Sequence, residues 1–352
     1  MNSTTGNGSI ESASSCVSAT AYKIELTIAL SLIIAVSLTG NSFIVLIVYK
    51  TPTLRKPINY FIASMSMSDL LFSTIWIPYK LSKLHTNSWL IGGQFGQALC
   101  KLIPFFANFS SIVSIQNLVL ITVDRFEAVV FPLRSPLLRS KLCPFLIPAT
   151  WIVAATVCST TLFAKKLVEY SAGEMICVVR WEEAFGESSS FADYQLACSI
   201  LFTYIPVILL VLLYSIILIK LKTQAHPGEQ SANIQQQRKR RNRNVLQMSI
   251  AIVLAFVFCW LPYSTNIIIR YQASPIHFSC GFWLYYYVTY YMAVGYCAIN
   301  PTICFFFSSN YREGLKRLIN KLFQMALFSH KGSFRVHRKH TKGKPVVNEP
   351  KP

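Results

Sequence analysis

The stretch VLITVDRFEAVVFPLR, residues 119–134, ends a long apolar run with an acid and a base side by side, Asp124 and Arg125. Such a pair does electrostatic work. Its strength depends on the water around it, so a shift of a helix end would change it. A lone charge there would need no such account, because long side chains snorkel to a membrane interface. Asp69, in FIASMSMSDLLFS, is harder to dismiss. It lies inside an apolar run with no base near it in sequence. A charged acid at that depth costs about 2.5–3.5 kcal/mol on an insertion scale, which makes it a functional candidate by default. The bland alternative is a protonated Asp69 hydrogen-bonded to neighbouring helices, for which Asn41 in TGNSFIVLIV and Asn300 in AINPTICFFF are available. Hydrolytic and metal chemistry find no support. Glu25 and Asp69 form no set with a histidine, and the outer histidines are His85 and His277 alone. No CxxC pair or Cys/His cluster has metal spacing. The chain therefore reads as a protein that is not an enzyme and carries no metal centre.

The elements that would position these charges are membrane spans. The chain has 352 residues, 53% hydrophobic and 13% charged, where a soluble domain carries about 25% charged. Its apolar residues collect in runs of about 20, the length a helix needs to cross some 30 Å of hydrocarbon. Seven spans are expected, at 24–49, 58–82, 99–127, 143–164, 194–221, 243–271 and 281–307. Helices are required because lipid leaves no other way to satisfy the backbone, and continuous rather than alternating runs disfavour a barrel. The fold class is thus all-α integral membrane, a seven-transmembrane helix bundle over 24–307. An extracellular N-terminus, 1–23, would precede it; it lacks an apolar signal-peptide core and carries glycosylation sequons at Asn2 and Asn7.

Lysine and arginine fix the orientation. Lys50, Arg55, Lys56, Arg134, Arg139, Lys141, Lys220, Lys222, the RKRRNR cluster at 238–243 and the bases after 311 all fall on one side. That asymmetry accounts for a net charge of +19 by contact with anionic membrane lipids, without nucleic acid. In SSNYREGLKRLINKLF, 308–323, Tyr311, Leu315, Leu318, Ile319 and Leu322 share one helical face, and Arg312, Lys316, Arg317 and Lys321 the other. This is the pattern of an amphipathic helix on the inner surface, followed by a disordered basic cytoplasmic tail at 324–352.

These landmarks together resemble the rhodopsin-like (class A) G-protein-coupled receptors, over residues 24–323. The resemblance rests on Asn41, Asp69, Cys100 and Asp124-Arg125-Phe126 in the first three spans. It continues with Trp151, Pro206 with Tyr214, Cys259-Trp260-Leu261-Pro262, and Asn300-Pro301. It implies a plasma-membrane receptor that activates heterotrimeric G proteins through Asp124, Arg125, Tyr214, Trp260, Pro262, Asn300 and Pro301. Arg125 would be restrained by Asp124 in the idle state and extend toward the G protein in the active one. The resemblance further implies a polar network of Asn41, Asp69 and Ser114, a sodium ion near Asp69, and a Cys100–Cys177 disulfide. Cys16 and Cys280 also lie on the oxidising side, and sequence leaves a second bridge between them open. The chain departs from the family at Cys304, where a tyrosine is usual. It also departs at RNRNV before the sixth span, which carries no acid.

The family resemblance also narrows the ligand. No lysine in the seventh span could hold retinal, and Ala107 stands where amine receptors place an aspartate. The CVVRW segment resembles the β-hairpin of peptide receptors, and the second outer loop carries Glu169, Glu174, Glu182, Glu183, Glu187 and Asp193. An acidic loop would steer a basic ligand. The aromatic outer ends would stack on it. The expected ligand is a short basic neuropeptide, meeting Trp76, Tyr79, Asn108, Glu182, Glu183, Tyr263, Ile267, Arg270, Tyr286 and Tyr290. A lipid or small organic ligand on the same fold is the alternative. A transporter or channel is disfavoured by the lack of internal repeats.

Overall fold

The computed structural model describes residues 19–86, 88–132, 138, 140–171, 173–223, 232–272, 279–321 and 323–324. Seven long helices form one bundle: α1 Ala19–Lys50, α2 Pro57–His85, α3 Gly93–Val130, α4 Cys143–Ala164, α5 Phe191–Thr223, α6 Ala232–Gln272 and α7 Cys280–Phe307. Each is long and apolar enough to cross a membrane. A shorter helix, α8, spans 309–321. A two-stranded antiparallel hairpin, β1 Lys165–Ser171 with β2 Glu174–Val179, follows α4. Asn2, Asn7, Cys16 and the basic tail lie outside the described residues, as does Leu322.

Helix ends follow local chemistry. Proline opens α2 and α4, where its missing N–H is not needed. Ser279 caps α7 by accepting from the Phe282 N–H, and Ser190 caps α5 through the Asp193 N–H at 3.3 Å. The helices outrun the apolar runs by up to a few turns, because helical hydrogen bonding does not stop where hydrocarbon ends. In α5 the backbone loosens to a π turn at Ile200–Tyr204, with the Ile205 N–H reaching the Ile200 carbonyl. Pro206 follows directly. Its ring would press on the carbonyl of Phe202 in a regular helix, and the wider turn relieves that clash. Prolines also lie inside α2, α3 and α4, at Pro78, Pro104 and Pro148, besides Pro262 and Pro301.

α3 is the central pillar, touching α2, α4, α5 and α6. The inner part of the bundle packs around Ile44, Phe61, Ile121, Leu210, Phe256 and Tyr311. A smaller outer cluster holds Leu30, Phe72, Ile77, Tyr290 and Val294. Large apolar side chains such as Phe145, Phe163, Phe258 and Phe306 point outward, as lipid allows. Two glycines permit close approach. A Cβ on Gly40 would lie 2.6 Å from Pro301 of α7, and one on Gly314 2.5 Å from Ile47 of α1. α8 docks through Tyr311, Gly314, Leu315 and Leu318, and the Tyr311 hydroxyl donates to Asn59 Oδ1 at 3.1 Å. Ile319 is exposed rather than packed, so the docked face is narrower than the apolar stripe.

Candidate functional site

At the inner end of α3, the Arg125 guanidinium donates to Asp124 Oδ2 through Nε, at 3.0 Å, and through an NH2 group. Both side chains are largely buried. A charge pair shielded from water is stronger than one in solvent. Two residues on, Glu127 Oε2 accepts from the Leu138 N–H at 3.3 Å. Tyr214 of α5 is buried with its hydroxyl facing Thr122 and Ser249 but without a hydrogen bond. Cys304 is fully buried nearby in the same core.

Midway across the bundle, Asn300 Nδ2 donates to Asp69 Oδ2 at 2.8 Å, Ser68 and Ser114 hydroxyls meet at 3.0 Å, and Ser110 donates to the Ser68 carbonyl at 2.8 Å. Asn41 is not part of this set. Its amide donates to the carbonyls of Ser37 and Cys297, both at 2.9 Å, and so ties α1 to α7. That corrects the expectation that Asn41 bonds Asp69. A space of about 10 Å³ beside Asp69 is lined by Ser110, Ser111, Ser114, Trp260 and Cys297. Trp260 stacks on Phe256 with ring centres 6.2 Å apart and meets Tyr263 edge-on at 6.0 Å. It thereby links this level to the outer half, just below Pro262.

At the outer end the hairpin pairs Leu167 with Cys177, and the Cys177–Cys100 disulfide ties it to α3. Gln97 of α3 clamps it again, donating to the Lys165 carbonyl at 3.2 Å and accepting from the Leu167 N–H at 2.7 Å. Trp89 joins through a 2.6 Å bond from its N–H to the Met175 carbonyl. A cavity of about 420 Å³ opens here, lined by Tyr79, Lys83, Trp89, Ile103 and Cys177 among others. Cys280 is disulfide-bonded as well.

The expected ligand residues separate into two groups. Trp76, Tyr79, Tyr263, Arg270, Tyr286 and Tyr290 come together. Trp76 Nε1 donates to the Tyr290 hydroxyl at 3.1 Å, Tyr263 and Tyr290 rings lie 5.7 Å apart, and Arg270 donates to the Tyr286 hydroxyl at 3.4 Å. Ile267 is half-buried and Asn108 exposed. Glu182 and Glu183 belong elsewhere. They lie on a one-turn helix, Trp181–Phe185, pinned by Trp181 stacking on Tyr194 at 4.7 Å. Glu183 accepts from Lys166 Nζ at 2.5 Å and faces Arg180 at 3.6 Å; the Lys166 bond holds its carboxyl below the usual range. Its charge is met within the loop, while Glu182 stays exposed.

Sequence reasoning missed three bases. Lys80 lies with its ammonium 4.6 Å from the Trp76 ring centre, 4.9 Å from Tyr290 and 5.8 Å from Tyr79. Lys83 and Lys165 lie close by, and burial with the Lys83 charge pulls the Lys165 ammonium down to about 8. A signal was present: Lys80 and Lys83 follow Trp76 at i+4 and i+7, one face of α2.

Seven spans, a tethered outer hairpin, a buried mid-membrane acid and a paired arginine at the inner end of α3 define a seven-helix membrane receptor, not an enzyme. The profile of the 7-transmembrane receptor (rhodopsin) family matches residues 40–303, and the chain belongs to that family. It is 27% identical over 293 residues to an RYamide receptor of Drosophila melanogaster, covering 81% of this chain and 61% of that one. It is 27% identical to a human Substance-K receptor, over 76% of this chain and 68% of the other. A QRFP-like peptide receptor of Branchiostoma floridae is 30% identical over 66% of this chain and 61% of its own length. In the first and third cases the chain spans under two thirds of the relative.

Proposed function

We propose that this protein is a plasma-membrane receptor, N-terminus outside, that binds an extracellular peptide and activates heterotrimeric G proteins. The hairpin carries the reading. Held at three points to α3 and Trp89, it borders the 420 Å³ cavity at the outer ends of α2 and α3, which would admit a chain-like ligand. The named relatives are peptide receptors, which favours the same class here. Basic residues of the peptide would meet the exposed loop acids Glu169, Glu174, Glu182, Glu187 and Asp193. Ligand contact at Tyr263 and Tyr290 would move Trp260, and helix rearrangement about Pro262 and Pro301 would separate Arg125 from Asp124. A sodium ion beside Asp69 belongs to the same proposal. The lining oxygens of Asp69, Ser110, Ser111 and Ser114 suit a hard cation, and the space takes about one water-sized body. The sequons at Asn2 and Asn7 would be glycosylated outside the cell.

The test is G-protein dissociation in cells expressing the chain, challenged with a panel of short peptides and, separately, with lipids and amines. A saturable peptide response that disappears in Arg125→Ala at equal surface expression is the expected result. A response to lipids alone would replace the peptide reading with the small-ligand one.

A further inference from the structure

The outer bundle holds an arrangement that costs energy and that stability alone does not account for. Lys80 of α2 sits in a cage of Trp76, Tyr79 and Tyr290. Arg270 of α6 lies over Trp283 at 5.6 Å and Tyr286 at 5.4 Å, both of α7. Lys83, Lys165 and Arg270 all repel the Lys80 charge. Ion pairs among the described residues involve Asp124, Glu183 and Glu313, and none includes these four cations. Four cations share one region, and the outer-loop acids are exposed or, at Glu183, already bonded to Lys166.

Two consequences follow from elementary electrostatics. Cation–π contacts hold Lys80 and Arg270 in place. The aromatic faces that would otherwise receive a ligand's cation are already covered by this chain's own. A basic group entering between α2, α6 and α7 would meet like charge and no counter-charge. An anion entering there would meet two pre-positioned donors, flanked by the hydroxyls of Tyr286 and Tyr290. Lys83, one turn outward from Lys80 on the same face and lining the 420 Å³ cavity, would draw it in.

We propose that Lys80 and Arg270 form an anion-binding site at the outer end of the bundle that receives a carboxylate or sulfate of the ligand. Under the peptide-receptor reading, on which this rests, the group is either a free C-terminal carboxylate or an acidic or sulfated side chain. Guanidinium and ammonium then act as charge-assisted donors, and Lys83 and Lys165 speed arrival. Bases elsewhere in the peptide would face the acidic loop, so the ligand would be polarised along its length.

The experiment uses the purified full chain in lipid nanodiscs and measures thermal unfolding with three probes: N-acetyl-phenylalanine, its C-terminal amide, and O-sulfated N-acetyl-tyrosine amide. The carboxylate and sulfate probes are expected to raise Tm, and the uncharged amide is not. The rise should vanish in Lys80→Gln with Arg270→Gln and persist in Lys80→Arg, which keeps the charge and guards against a folding artefact. In the cell assay, matched peptides separate the two sources. One set has a free C-terminus and no acidic side chain; the other is amidated and carries Glu or sulfotyrosine. The anion-bearing agonist should lose at least about tenfold in potency in Lys80→Gln. No Tm rise with either anion, or an equal rise in the double variant, would overturn the site. Peptide silence with the Tm rise intact would instead overturn the peptide reading and leave the site standing.

Discussion

The two ends of the bundle treat the same kinds of charge in opposite ways. At the inner end Arg125 is bonded to Asp124, Glu127 accepts from the backbone of Leu138, and α8 approaches α1 to glycine distance at Gly314. At the outer end Lys80 and Arg270 rest on aromatic rings and enter no ion pair among the described residues. A charge paired within the chain stores two states, paired and released, and so can act as a switch. A charge without an ion-pair partner on aromatic supports is available to an incoming anion. Under the proposed function, transduction would fall to one end and recognition to the other.

The largest effect should come from reversing charge at the outer end. Lys80→Glu is expected to lower the potency of an anion-bearing agonist about a hundredfold, because it replaces attraction by repulsion in a partly buried site. Glu183→Lys, in a solvent-exposed ion pair, should change potency by less than about threefold. Concentration–response curves for both variants check the pair; equal effects would erase the distinction between loop acids and buried bases. At the inner end, Arg125→Ala should cut maximal G-protein activation by more than about tenfold, and Asp124→Asn should raise basal activity about fivefold by freeing Arg125. Basal and maximal dissociation signals measure both.

Packing gives a smaller contrast. Gly40→Ala drives a Cβ to 2.6 Å from Pro301 and should cost about 1–3 kcal/mol, visible as a lowered Tm. Gly281→Ala at the outer start of α7 meets nothing closer than Ser279 Oγ at 3.8 Å and should stay within about 0.5 kcal/mol. The smallest effect is with pH. Lys165, held at about 8 by burial and Lys83, loses its proton as pH rises through that value. Its attraction for an anion, felt alongside Lys80, is therefore present below about 8 and lost above it. Anion affinity should fall about threefold between roughly pH 7 and 9, a fall that Lys165→Gln should reduce.

Much of the bundle was legible because lipid imposes one rule on every span: the backbone must satisfy itself. The runs around Asp69, Asp124 and Asn300 therefore reveal helices, and the order of those landmarks reveals the family. What was not legible depends on rotation of one helix against another. Asn41 and Asn300 look equivalent as partners for Asp69 in sequence, yet only the side chain turned toward α2 reaches it. Glu182 and Glu183 read alike as loop acids in sequence; Lys166, seventeen positions upstream, takes one of them. Lys80 drew no notice in the sequence, since nothing local announces that Tyr290 of the distant α7 stands over it. The π turn before Pro206 has no signature beyond the proline itself.

The division of labour between the two ends is tested most directly by full concentration–response curves for the most potent anion-bearing peptide agonist on wild type, Lys80→Gln and Arg125→Ala at matched surface expression. The account predicts that Lys80→Gln moves the midpoint and keeps the maximum, while Arg125→Ala removes the maximum and leaves peptide binding, read separately with labelled agonist, in place. A lowered maximum at an unchanged midpoint in Lys80→Gln would contradict it.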